Sequence, residues 1–176
     1  LGERLVDTPA RELVNAADLA MARLDRLDAR SRRMLQSLAV LGRSTTIELL
    51  KTVSGIPDMA PLGELRGRSL VTIDGTRVSF TEPFLADLVE AMIPAEARRL
   101  LHAAALDASS DAGAPTEVIA EHAALASLGM RSLVLLERAG DASMRRGDIH
   151  GAVRIYRRGV DSARREAFGS GEAMFD

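Results

Sequence analysis

Around Asp74-Gly75 the chain changes its rhythm. Leu70-Val71-Thr72-Ile73 leads into this dipeptide and Arg77-Val78-Ser79-Phe80 leads out of it. An Asp-Gly step between alternating apolar runs is the strongest short-range hairpin signal a sequence carries. Taking Asp74 and Gly75 as the two turn residues sets Val71 opposite Val78. Val71, Ile73, Val78 and Phe80 then share one face, while Thr72 and Arg77 share the other, so register and apolar pattern agree.

The rest of the chain reads at helical period. Residues 1–8 form an irregular lead-in. Leu13, Ala16, Ala17, Ala20, Leu24 and Leu27 then recur on one helix face. Asp28 caps a second helix with Met34, Leu35, Leu38 and Leu41 on its apolar side, and Gly42 ends it. Thr45-Thr46-Ile47-Glu48 has the form of a capping box and opens a helix through Leu49, Leu50 and Val53 to Gly55. A short helix follows, from Pro57 or Met59 to Arg66. After the hairpin, Thr81-Glu82-Pro83 restarts a helix with Phe84, Leu85, Leu88, Val89 and Met92 on its apolar face. Pro94 opens another through Leu100, Leu101 and Leu106. Residues 109–115 (SSDAGAP) read as a linker. Helices are expected beyond it over 116–128, 131–146 and 151–168, with an irregular tail from Gly169. Scarce aromatics, 3% of the chain, suit helices packed by small and aliphatic side chains. The fold class is therefore mainly α. Helix-helix-helix-hairpin is the element order of a winged helix, and antiparallel helical hairpins follow it.

Gly140 and Gly147 are spaced as in a tetratricopeptide unit, and Gly147-Asp148 leads to Ala152, Tyr156 and Gly159. Small residues are needed where two helices of a hairpin touch, which suits Gly140 and Ala152. Tyr156 fills the space between one hairpin and the next. Leu136, Ser143 and Gly159 stand where such repeats prefer tryptophan, tyrosine and alanine. A repeat buries its last face only against a neighbour, so a truncated array is expected.

Composition removes several function classes. There are no cysteines, which excludes disulfides, thiolate metal sites and cysteine nucleophiles. His102, His122 and His150 match no metal-binding spacing, and His122 reads as a helix-packing or surface residue. No Gly-x-Ser-x-Gly elbow is present, and Lys51, the single lysine, follows Leu49-Leu50 rather than a phosphate-cradling glycine loop. Asp25 and Asp28 lie among Arg23, Arg26 and Arg30, as solvated ion pairs do. No catalytic, cofactor-binding or metal-binding residue is expected. Net charge of −2 gives no overall attraction to nucleic acid or an anionic membrane. No apolar run reaches the roughly 18 residues that span a bilayer, and no signal leader opens the chain, so a cytoplasmic fragment of a longer protein is expected.

Several segments in order carry a family likeness: Ala20-Met21-Ala22-Arg23-Leu24-Asp25-Arg26-Leu27-Asp28, then Ala39-Val40-Leu41-Gly42, then residues 65–71, then Val78-Ser79-Phe80-Thr81-Glu82-Pro83-Phe84-Leu85. They resemble the region after the nucleotide-binding domain of STAND-class signal-transduction ATPases, such as maltose-regulator-like LuxR-family transcriptional regulators and relatives fused to kinase or cyclase domains. The likeness covers nearly the whole chain, and the order of the motifs is its distinctive part. Glu82 departs from the histidine that relatives often carry before the proline. The resemblance implies a winged helix between an ATPase core and a tetratricopeptide-like sensor. ATP would then bind in an upstream domain and DNA in a further one, both outside this chain.

The expected division is a lead-in and connecting helix over 1–27, a winged helix over 28–93, a linking helix over 94–112 and the first helical repeats over 113–176. The expected function is a non-catalytic regulatory module, coupling the repeats to the adjacent nucleotide-binding domain. Arg131, Arg138, Arg145 and Tyr156 are the candidate residues for a protein or small-molecule inducer. The alternative is a DNA-binding winged helix using Arg66, Arg68 and Arg77. Eight basic residues against five acidic ones between Leu27 and Thr81 give that reading a mild charge excess. A third helix carrying Pro61, Gly63 and Glu64 makes a poor recognition probe.

Overall fold

The computed structural model describes residues 19–172. The lead-in and the start of the first helix, with Leu13, Ala16 and Ala17, lie outside the described residues. The chain divides into two compact units, residues 1–91 and 92–176. Among the described residues the structure is mainly helical, with one small three-stranded antiparallel sheet.

The first unit begins with the described part of α1, residues 19–25, which buries Ala20 and Leu24. Helix α2 spans Ala29–Leu41; the Asp28 carboxylate accepts from the Ser31 N–H at 2.7 Å, satisfying one of the orphan donors of the first turn. Gly42, at φ +104°, ends it. Strand β1, Ser44–Thr46, comes next. Helices α3, Ile47–Ser54, and α4, Ala60–Gly67, lead to strands β2, Val71–Asp74, and β3, Arg77–Phe80, and then to α5, Pro83–Met92. The sheet order is β1-β3-β2. Met34, Leu38, Leu50, Leu62, Leu65, Leu70 and Val78 are wholly buried in one cluster. Each such side chain contributes roughly 1.5–3 kcal/mol.

Three local expectations change here. Ile73 pairs with Val78 and Val71 with Phe80, so the two-residue turn is Gly75-Thr76 and not Asp74-Gly75. Only Gly75 needs positive φ in this turn, at +56°. The slip is two residues, one full side-chain period, so the apolar face is the same in either register. The helix cap moves as well. Thr45 is buried and pairs with Val78 in a strand the sequence pattern did not suggest. Thr46 is the residue that caps α3, accepting from the Leu49 N–H at 3.2 Å. Third, Met92 on α5 is exposed, while Leu85, Ala86 and Val89 are buried.

The second unit contains α6, Ala95–Asp111, α7, Thr116–Ala126, α8, Met130–Arg145, and α9, Ile149–Glu172. Each packs on the next, and connections of a few residues make neighbours antiparallel. The linker is shorter than expected. Ser109, Ser110 and Asp111 belong to α6, where the Ser110 hydroxyl donates to the Leu106 carbonyl at 2.7 Å and so stays within the helix. Residues 112–115 make the turn, with Gly113 at φ +67°. Likewise α9 begins two residues before Gly151, because Asp148 accepts from the Gly151 N–H at 2.9 Å and caps it. It continues past Gly169 to Glu172; residues 173–176 lie outside the described residues. Of the leucines on α6, Leu100 is exposed, while Leu101 and Leu106 are buried.

Small residues line the helix contacts of this unit: Ala120, Ala123 and Ala124 on α7, Ser132, Ala139, Gly140 and Ser143 on α8, Gly151 and Ala152 on α9. At Gly140 the reason is steric. A Cβ built there would lie 2.6 Å from Cζ of Tyr156, closer than van der Waals contact allows.

Candidate functional site

Helical spacing places Arg131, Arg138 and Arg145 seven residues apart on α8, and hence along one face. Arg138 and Arg145 line a shallow cleft with Ser110, Thr116, Ile119, Leu135 and Asp141. Arg138 also lines the adjoining hollow with Arg131, Leu106, Met130 and Val134. Arg131 forms an exposed ion pair with Asp107 at 3.6 Å, a contact worth at most about 1 kcal/mol. The structure therefore brings the three arginines into one continuous, open surface. Tyr156 does not line it. Its ring lies over Gly140 and its hydroxyl donates to Asp141 Oδ1 at 2.6 Å. That bond, with the Asp141 charge behind it, raises the phenol's pKa. Tyr156 meets the arginine cleft through its bond to Asp141, and Arg145 acts on its phenol electrostatically.

A second polar cleft was not legible in the sequence. Glu117, Glu121, Ser143, Asp148, Arg154, Arg157 and Arg158 line it. Arg146 binds Glu117 and Arg158 binds Glu121, the latter at 2.7 Å. The Arg146 guanidinium holds the Glu117 carboxyl below its usual pKa. Acids on α7 are thus matched by an arginine at the C-terminal cap of α8 and by one on α9, pairings that no local spacing announces.

One buried polar contact of this unit is a pair of imidazoles. His102 of α6 and His122 of α7 are 2% and 5% exposed, and their Nδ1 atoms lie 3.2 Å apart. The rings are tilted by 37° with centroids 5.5 Å apart. One ring must donate Nδ1–H and the other accept, so the contact needs opposite tautomers. Burial, the neighbouring His122 and Arg98 lower the His102 pKa to about 4, against a raising influence from Glu121. Burial lowers His122 as well. His122, which the sequence left as a helix-packing or surface residue, is buried; what sequence separation hid is that its partner is another histidine. The usable signal lay in position, since His102 follows Leu101 and precedes Ala105 and Leu106 on the apolar face of α6. Among the described residues no group of three or more His, Asp or Glu side chains is placed to hold a metal ion.

In the first unit the three arginines of the DNA reading lie at the end of α4 (Arg66 and Arg68) and on β3 (Arg77). Arg66 is exposed in the last turn of α4. Arg68 is bound by Glu64 at 2.9 Å, and Glu64 also accepts from the Ser31 hydroxyl at 2.5 Å. Arg77 donates to the Ser44 hydroxyl at 3.1 Å across the sheet. No helix among the described residues is long and apolar enough to cross a membrane. Compared with known proteins, the chain matches no family model, no curated protein and no solved structure.

Proposed function

We propose that the chain is a non-catalytic regulatory module of a larger signal-transduction ATPase of the STAND class, with a winged helix over residues 28–93 and tetratricopeptide-like helical repeats following it. The observation that carries this reading is the element order α2-β1-α3-α4-β2-β3, in which β1 pairs with the far strand of the hairpin. A winged helix has that connectivity. The close approach of Tyr156 to Gly140, followed by the Gly147-Asp148 joint, supports the repeat reading. In this proposal ATP binds in an adjacent domain of the parent. The inducer, a protein or small molecule, meets the repeats at the Arg131–Arg138–Arg145 surface. Such a ligand shifts the parent between states only through contacts that differ between them.

Deleting residues 28–93 from the ATPase-bearing parent tests the proposal. The expected result is a changed basal ATPase rate; an unaltered rate and an unaltered response to inducer would overturn it. The DNA reading predicts specific, salt-sensitive binding in a gel-shift titration. With Arg68 engaged by Glu64 and Arg77 by Ser44, no specific binding is expected.

A further inference from the structure

Beside the cleft that holds Arg138 and Arg145 lies a hollow of different character. It opens between α6 and α8, and both helices pack on α7. Its walls therefore belong to this unit and are not a face left for a following repeat. Leu106 of α6 and Met130, Val134 and Leu135 of α8 make most of its lining, and Met130 and Val134 are 72% and 45% exposed. Two guanidiniums, those of Arg131 and Arg138, enter the same lining. Among the described residues no carboxylate lines this hollow; Asp141, which lines the cleft next to it, is engaged by the Tyr156 hydroxyl.

An apolar lining with a few fixed polar groups is the character of a small-molecule site, where the polar groups set the ligand's orientation. Here those groups are one-sided. The Ser110 hydroxyl, also in the lining, gives its proton to the Leu106 carbonyl at 2.7 Å, which leaves the arginines as the side chains able to donate to a ligand. Arg131 is shared with Asp107 at 3.6 Å, both side chains being largely exposed, a pair that water loosens. Arg138 has no ion pair among the described residues. A ligand that matches both halves of the hollow carries a carboxylate for Arg138 and an aliphatic body for the apolar walls. A compact, strongly hydrated anion such as phosphate matches one half alone. We propose that the hollow between α6 and α8 binds a small aliphatic monocarboxylate, its head at Arg138 and its chain over Leu106, Val134 and Leu135. The inference rests on reading the α8 arginines as the inducer surface, and it names the inducer's chemistry.

The probe is octanoate, titrated into the isotope-labelled whole chain and followed by amide chemical shifts in α6 and α8. Octanamide keeps the aliphatic body and drops the charge; acetate keeps the charge and drops the body. Each is expected to bind at least about tenfold more weakly than octanoate at low salt. Arg138→Gln should remove the preference for octanoate over octanamide, and Val134→Ser should weaken both. Both positions are exposed, and circular dichroism checks that helix content is kept. Absence of octanoate binding, equal binding of octanoate and octanamide, or a preference that survives Arg138→Gln overturns the proposal. So does tighter binding of hexaglutamate than of octanoate, because the surface then selects charge alone. The regulatory reading fails separately. It turns on the ATPase rate of the parent after deletion of residues 28–93, a measurement that octanoate binding to this chain neither needs nor alters.

Discussion

At Gly140 a single missing methyl group sets the distance between two helices. Gly140→Ala pushes a Cβ into the Tyr156 ring, an overpacking cost of about 1–3 kcal/mol against a helix-propensity gain of about 1 kcal/mol. Chemical denaturation should show a net loss, and the same substitution in a Tyr156→Ala background should be neutral or stabilising. A loss of equal size in both backgrounds would mean the ring is not what the glycine accommodates. Ser132 carries a different kind of constraint. Its buried hydroxyl donates to the Ala123 carbonyl at 2.7 Å and accepts from the Leu128 N–H at 3.1 Å, holding the turn between α7 and α8. Ser132→Ala leaves both backbone groups without that partner and should cost roughly 1–3 kcal/mol. The histidine pair adds a dependence on pH. Both pKa values are lowered in the folded chain, so the unfolded chain binds more protons below about pH 6.5. Stability is therefore present above that value and is lost as pH falls toward about 4, where His102 itself titrates. Thermal melts between pH 7 and pH 5 should show a falling Tm, and His122→Asn should flatten the slope.

At the scale of elements, caps decide where helices begin. Thr46→Ala removes the hydroxyl that accepts from Leu49 and should destabilise the first unit by about 1 kcal/mol in urea denaturation. The same region shows how far sequence reasoning reached. Asp28, Gly42 and Gly55 mark helix ends by their own chemistry, and they were readable directly. Strand β1 was not, because three residues, Ser44-Thr45-Thr46, carry too little alternation to be told from a capping box, and they become a strand only by pairing with Ser79, Val78 and Arg77 more than thirty positions later. The hairpin's apolar face was legible and its turn was not, since two registers differing by one period bury the same side chains. On α8 the spacing of the arginines predicted one surface, which helix geometry alone requires. Tyr156 was misgrouped with them because its position depends on how α9 packs over Gly140. The His102–His122 contact was invisible for the same reason: it is a property of two helices together.

At the scale of the whole molecule, the two units are expected to answer differently to acid. The imidazole pair lies wholly in the second, and the apolar cluster of the first contains no histidine. Hydrogen exchange at pH 5 compared with pH 7, corrected for intrinsic rates, should therefore show loosened amides in α6 and α7 and unchanged protection in β2 and β3. Uniform loosening across both units would contradict a local origin.

The strand order has a consequence for synthesis. Both outer strands are made first and the middle one last, so neither β1 nor β2 has a neighbour to bond with until Phe80 has left the ribosome. A nascent chain stalled a few residues earlier exposes two lone ribbons with open backbone edges, the state in which chains stick to one another. The last strand to be made is the one that retires both hazards at once.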